Sequence, residues 1–214
     1  MTETIEDTRR EYDYGRLSRE SLLDNPFDQF QLWLDQACQS PIKDPTAMTI
    51  ATVDADNKPW HRAVLLKGFD QRGFVFYTNL GSRKALDIAN NPNVSLHFPW
   101  FFLNRQVSIG GRVEKVSRKE VLKYFLSRPK DSQLAAWASK QSSRLTSRQA
   151  LEGQFMAMKE KFAHGEIPTP DFWGGFRVVP EEFQFWQGGE NRLHDRYQYS
   201  LGKDKSWVIN QLAP

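Results

Sequence analysis

Several short stretches of this chain set cations beside hydroxyl or aromatic side chains, which is how a protein without a phosphate loop holds phosphate. Arg62 and Lys67 bracket the segment RAVLLK, and Arg83 and Lys84 follow Ser82 at the expected start of a short helix, where free backbone N–H groups also attract anions. Gln141, Ser142 and Arg196 are further candidates. A second group joins Tyr124 and Arg128, whose four-residue spacing predicts one helix face, to Ser132 just beyond Pro129. A phosphate at the C-terminal end of that helix would meet the negative end of its dipole and need the guanidinium as compensation. The third group is WQGGENRLHDR, Trp186 to Arg196. Gly188 and Gly189 predict a tight turn displaying Arg192, His194 and Arg196, which share a face if the segment is extended. Histidine is also the side chain that changes charge near neutral pH. Each group has a plainer reading as a solvated charge, a surface Tyr–Arg stack or a structural histidine.

Other chemistries are poorly supplied. The chain has neither G-x-G-x-x-G nor G-x-x-x-x-G-K-[ST], and no G-x-S-x-G elbow, so dinucleotide, P-loop and serine-hydrolase readings lack their motifs. His61, His97, His164 and His194 are far apart, and with the single Cys38 they match no metal-ligand spacing. That cysteine also excludes an intramolecular disulfide. The balance of 29 basic and 26 acidic residues gives +3, scattered along the chain and unlike the concentrated stripe of a nucleic-acid domain. Seven Trp and fifteen Phe supply both core volume and walls for planar ligands. With 39% hydrophobic residues over 214 positions, a folded globule is expected. The longest apolar run, Phe98 to Leu103, is too short for a membrane span, and the charged opening residues predict no secretory leader. A soluble, cytoplasmic protein is expected.

The elements that would position these residues are mostly strands. Residues 1–25 are polar and aperiodic and read as an arm or lid over a domain covering 26–214. Pro26 opens a helix with Phe27, Phe30, Trp33, Leu34 and Ala37 on one face. Strands are predicted at 47–53, 60–66, 74–78, 94–98, 106–116, 176–179, 183–186, 196–201 and 207–212. A short helix is expected over 82–89, and Gly110-Gly111 suggests a bulge or a close backbone approach. Ser117 with Glu120 forms a capping box opening a helix that Arg128-Pro129 ends, and Thr146 with Gln149 forms another, closed by Gly165. The pattern predicts a mainly β fold with peripheral helices, as a closed or split barrel.

The segments RREY (Arg9 to Tyr12), DPTAM, RAVLLK, FYTNLGSRKA, SRPxDSQ, SKQSS, FWGGFRV and FWQGGENRLHDR together resemble the pyridoxine/pyridoxamine 5′-phosphate oxidase family, from about Arg9 to the C-terminus. The resemblance implies an FMN-binding split β-barrel, a homodimer with flavin between its subunits, and an oxidoreductase of vitamin B6 metabolism. The implied reaction oxidises pyridoxine or pyridoxamine 5′-phosphate to pyridoxal 5′-phosphate, with O₂ reduced to H₂O₂. It implies FMN contacts at Arg62, Ala63, Val64, Leu65, Leu66 and Lys67. Further FMN contacts are implied at Tyr77, Thr78, Arg83, Lys84 and Gln106, and at Gln141, Ser142, Trp186 and Arg196. It implies substrate contacts at Arg9, Arg10, Glu11, Tyr12 and Lys67, at Tyr124, Arg128 and Ser132, and at Arg192, Leu193 and His194. Arg192 and His194 are the implied catalytic pair, and residues 9–12 the implied lid. The alternatives are a flavin-binding split barrel that is non-catalytic or differently specific, and a binding module for pyridoxal phosphate or nucleic acid; binding that falls steeply with salt would mark the nucleic-acid case.

Overall fold

The computed structural model describes residues 11–13 and 15–214, so Arg9 and Arg10 lie outside the described residues. The fold is mainly β. The strands are β1 (Ala47–Val53), β2 (Pro59–Leu65), β3 (Gly68–Asp70), β4 (Gly73–Asn79), β5 (Asn93–Trp100), β6 (Arg105–Lys115), β7 (Trp173–Gln187), β8 (Asp195–Leu201) and β9 (Trp207–Leu212). The helices are α1 (Pro26–Gln39), α2 (Arg83–Asn90), α3 (Arg118–Ser127), α4 (Lys130–Ala138) and α5 (Arg148–Lys161). Strands pair in the order β2-β1-β5-β6-β7-β4-β3, with β8 joined to β7 and β9 to β8. Contacts divide the chain into two compact units: residues 1–50, 95–111 and 180–214, and residues 51–94 and 112–179.

The first unit is organised by α1. Asn25 accepts a hydrogen bond from the Phe27 N–H and Pro26 occupies the first turn, the two start signals the sequence carries. The apolar stripe of α1 packs aromatic edges against strands: Phe27 on Phe183, Phe30 on Phe98 and Trp33 on Phe185, at centroid separations of 5.2, 4.9 and 5.2 Å. The β7–β8 ladder sets Trp186 opposite Arg196. The N-terminal segment is tied to this unit, because the Leu17 N–H donates to Asp195 and the Tyr199 hydroxyl donates to the Leu23 carbonyl.

In the second unit β4 pairs with β7, placing Tyr77 opposite Gly175. Val75, Val116, Val121, Phe125, Leu134, Ile167 and Trp173 form its core, with α5 contributing Phe155 and Met158 at the margin. Arg177 of β7 is buried and pairs with Asp70, Glu114 and Glu120. Glu120 also completes the capping box with Ser117 at the start of α3, as the sequence predicts.

Several expectations need correction. The two strands expected at 176–179 and 183–186 are parts of one, β7. Pro180, in the gap between the two expected strands, lies between the residues that pair with β4 and those that pair with β8, so neither of these two ladders needs its missing N–H. The short β3 was not expected, nor was α4, whose first turn follows Pro129 directly. The cap of α5 is Ser147, whose hydroxyl accepts from the Ala150 N–H, and not Thr146. That helix ends at Lys161 with Phe162 as its cap, so Gly165, at φ +91°, turns the chain only beyond it. β6 runs unbroken through Gly110 and Gly111, and a Cβ on Gly110 would make only an ordinary 4.0 Å contact with Glu182.

Gly73 is where a glycine is obligatory. It sits at φ +133°, and a Cβ there would lie 2.1 Å from the Val178 carbonyl oxygen, a backbone atom of the adjacent ladder. Gly73→Ala is expected to cost about 2–4 kcal/mol, measured by urea unfolding; an unchanged midpoint would contradict the β3–β4 turn described here.

Candidate active site

The second unit encloses a cavity of ≈ 520 Å³, within the size range of sites for small organic ligands. Strand β2 and the residues after it supply Ala63, Val64, Leu65 and Lys67. β4 supplies Tyr77, Thr78 and Asn79, and α2 supplies Lys84. The α3–α4 region adds Tyr124, Arg128 and Ser132, and Gln141 and Trp173 complete the polar and aromatic lining. Eleven residues singled out in the sequence therefore share one cavity: Ala63, Val64, Leu65, Lys67, Tyr77, Thr78, Lys84, Tyr124, Arg128, Ser132 and Gln141.

Lys84 is the first of two cations there and is buried, whereas the second is half-buried. It lies 6% exposed, and its ammonium donates to Thr78 Oγ1 at 3.1 Å, Ser82 Oγ at 3.4 Å and Gln141 Oε1 at 3.5 Å. All three partners are neutral, and no carboxylate pairs with it among the described residues. Burial, reinforced by the charge of Arg62, pulls its pKa down to about 8. Arg62 itself does not line the cavity. It donates to Thr52 Oγ1 at 2.6 Å and pairs with the buried Asp87; burial lowers its pKa and Asp87 works against that. Leu66 is likewise buried away from the lining.

Arg128 is the second. It is the C-cap of α3, where φ is still helical at −75° and only ψ, 150°, turns the following chain away. Four residues after Tyr124, it lines the same cavity, as the spacing predicts. The guanidinium lies 5.0 Å from the Trp173 ring centroid. Its Nη1 is buried with no hydrogen-bond partner among the described residues, and burial lowers its pKa, opposed by Tyr124. The sequence reading placed only the negative end of α3 here. The structure adds the N-terminus of α4, with Ser132 in its first turn, and that positive end favours an anion.

Arg83 and Ser142 line a neighbouring cavity of ≈ 620 Å³, which Gln141 also borders. Arg83 pairs with Asp54 at 3.0 Å and lies 3.5 Å over the Trp60 ring, and Ser142 takes a left-handed φ of 71°.

The remaining candidates belong to the first unit. Tyr12 meets Trp186 and His194 edge-on, at 5.7 and 5.3 Å, and it fits because Gly188 has no Cβ, which would fall 2.6 Å from the ring. His194 Nδ1 accepts the Gly189 N–H at 3.1 Å, leaving Nε2 to carry the proton of the neutral ring. Arg192 is not on an extended segment. It closes a 3₁₀ turn (Glu190–Arg192) in which Asn191 and Arg192 both have positive φ, 53° and 61°. Arg192 and Leu193 are exposed, Glu11 is exposed, and Gln106 is half-buried on β6. Arg196 donates twice to Gln184 Oε1, at 2.6 and 3.2 Å. Sequence reasoning missed Trp173, Asn79 and Ser139, all in the cavity wall. Trp173 and Asn79 lie inside motifs that were read, but their types carry no charge to draw notice.

The family model described as pyridoxamine 5′-phosphate oxidase matches residues 34–162, and that of the pyridoxine 5′-phosphate oxidase C-terminal dimerisation region matches residues 173–214. The chain belongs to the pyridoxine/pyridoxamine 5′-phosphate oxidase family. Members so named from Teredinibacter turnerae and Photobacterium profundum are 60% and 58% identical over 210 residues, covering 98% of this chain and 99% of each relative. Among solved structures, PhzG from Burkholderia lata, in complex with tetrahydrophenazine-1-carboxylic acid, superposes with a TM-score of 0.86 at 26% identity, covering 91% of this chain and 95% of that one. A pyridoxamine 5′-phosphate oxidase-related, FMN-binding protein from Nostoc punctiforme shares the split-barrel fold, with a TM-score of 0.71 at 14% identity, covering 90% and 100%. No helix among the described residues is long and apolar enough to cross a membrane.

The Lys84 geometry sets a pH dependence. Its folded pKa is depressed, so in the free protein the cation is complete only below about 8 and is lost as pH rises through that value. Sulfate, whose charge is constant over this range, is expected to bind the ligand-free protein more weakly as pH rises through about 8, followed by calorimetry. Lys84→Met should remove that step; a step of equal size in the variant would assign it to another group.

Proposed function

We propose that this protein is an FMN-dependent oxidase of pyridoxine 5′-phosphate and pyridoxamine 5′-phosphate, acting as a homodimer. The observation that carries the reading is a pair of cations, the buried Lys84 and the half-buried Arg128 with its Nη1 shut off from solvent, which face one cavity without a carboxylate partner among the described residues. Cofactor and substrate each bring a phosphate, so both cations gain the anion that their burial leaves wanting. Family membership supports FMN and a B6 phosphate ester as the ligands that carry these phosphates.

The donor set fits FMN. Lys84, Thr78 and Gln141 offer a preassembled anion site, and the family's further contacts are proposed at Arg62, Arg83, Gln106, Ser142, Trp186 and Arg196. Bound FMN supplies the two-electron acceptor that no amino-acid side chain provides. The chain's own part is binding and orientation. Lys67, Tyr124, Arg128 and Ser132 hold the substrate phosphate, converting binding energy of a non-reacting group into placement of the carbon that is oxidised. Arg192 and His194 orient the ring and assist proton movement, with the His194 proton held on Nε2 by the Gly189 contact. Tyr12, seated on Gly188 beside Trp186 and His194, carries the N-terminal segment as a lid that excludes water. The balance is simple. Pyridoxine 5′-phosphate and O₂ give the aldehyde and H₂O₂; the amine also takes up water and releases ammonia.

Purified protein should bind FMN, turn yellow, and form one peroxide per aldehyde with pyridoxamine 5′-phosphate. Protein that stays colourless with added FMN, or yellow protein inert to both B6 esters, would contradict the proposal. Arg192→Ala should lower kcat/KM by at least about tenfold with FMN retained. Wild-type kinetics in that variant would remove Arg192 from the mechanism.

A further inference from the structure

Trp173 has no charge and no reactive atom, yet several features of the cavity converge on it. Its indole is buried, 6% exposed, and lies in the cavity wall. The Arg128 guanidinium sits over it at 5.0 Å. Tyr77 is near-parallel to it at 5.4 Å and Tyr124 at 5.9 Å, and those two stack on each other at 4.0 Å. The backbone is arranged to permit this. Trp173 begins β7, its N–H donates to the Pro170 carbonyl, and two residues on Gly175 leaves out the Cβ that would fall 2.7 Å from the Tyr77 ring. The sequence W-G-G therefore admits a compact cluster of three near-parallel rings, with Arg128 over the Trp173 member.

We propose that Trp173 is a positioning residue for recognition of the substrate phosphate, acting through Arg128. This rests on the reading of Arg128 as part of the phosphate clamp. A guanidinium partly shut off from water, as at Arg128, is ordinarily held by a carboxylate, which would neutralise it and compete with an incoming anion. Here the quadrupole of the indole face replaces the carboxylate. It holds the cation in place while leaving Nη1 without a partner and its charge available. The same ring fixes Tyr124, so two members of the clamp share one support.

The test compares Trp173→Leu and Trp173→Phe in the FMN-loaded enzyme, with Arg128→Met and the Arg128→Met/Trp173→Leu double variant beside them. Trp173→Leu should raise KM for pyridoxamine 5′-phosphate about three- to tenfold and change kcat less than about twofold. Competitive inhibition by inorganic phosphate should weaken in parallel. Trp173→Phe, which keeps an aromatic face, should recover most of the wild-type KM. In the Arg128→Met background Trp173→Leu should add little, because its effect passes through the guanidinium. If Trp173→Leu leaves KM unchanged while Arg128→Met raises it, the inference about Trp173 is wrong and the clamp stands. If Arg128→Met also leaves KM unchanged, the clamp reading itself fails. Additive effects of the two changes would also overturn the inference. Should Trp173→Leu not fold, the cycle is run with Trp173→Phe, for which a KM rise of about twofold that vanishes in the Arg128→Met background is required.

Discussion

Two cations in one cavity wall, Lys84 buried and Arg128 half-buried, with no carboxylate partner among the described residues, set the terms for this molecule. Lys84 reaches a pKa of about 8, which corresponds to a penalty on the order of 3 kcal/mol on its charged form. Arg128 cannot give up its proton under any ordinary condition, so its buried Nη1, unpartnered among the described residues, must be met by electrons from elsewhere. In the free protein hydroxyls, an amide oxygen and an indole face do part of this. An anion in the cavity does it better. The site is therefore preorganised for phosphate in the sense that matters for affinity: the desolvation has already been met by folding.

The fold supplies what such an arrangement needs, which is rigidity around the cations. Lys84 is anchored by α2 and by the Thr78 and Gln141 side chains. Arg128 is fixed at the junction of α3 and α4. The start of α3 is held through Glu120, which both closes its own capping box and meets the buried Arg177 of β7. These helices pack with β4 and β7 through a shared apolar core. Displacement of α3 would thus move Tyr124 and Arg128 together.

Much of this was legible in the sequence where the signal is local. Pro26 with the apolar stripe of α1, the Ser117–Glu120 box and the alternating strands act over a few residues, and the structure contains them. The cation clusters were also legible, because charge next to a hydroxyl is conspicuous in any context. What was not legible depends on pairing at a distance. Pro180 looks like a strand break until the change of partner on β7 makes its missing N–H harmless. Trp173 carries no polar atom aimed at a ligand, and its part emerges only once Tyr77, Tyr124 and Arg128 are seen around it. The positive φ at Arg192 has no local signature, whereas Asn191 before it is of a type that enters the left-handed region readily.

The central claim is that the cavity is an anion site before any cofactor or substrate arrives. It is tested most directly by thermal unfolding of flavin-free protein in rising inorganic phosphate, with chloride at matched ionic strength as reference. The account predicts a melting temperature that climbs with phosphate, a climb that is lost in the Lys84→Met/Arg128→Met double variant. A melting temperature indifferent to phosphate, or one that climbs equally in the double variant, would contradict it.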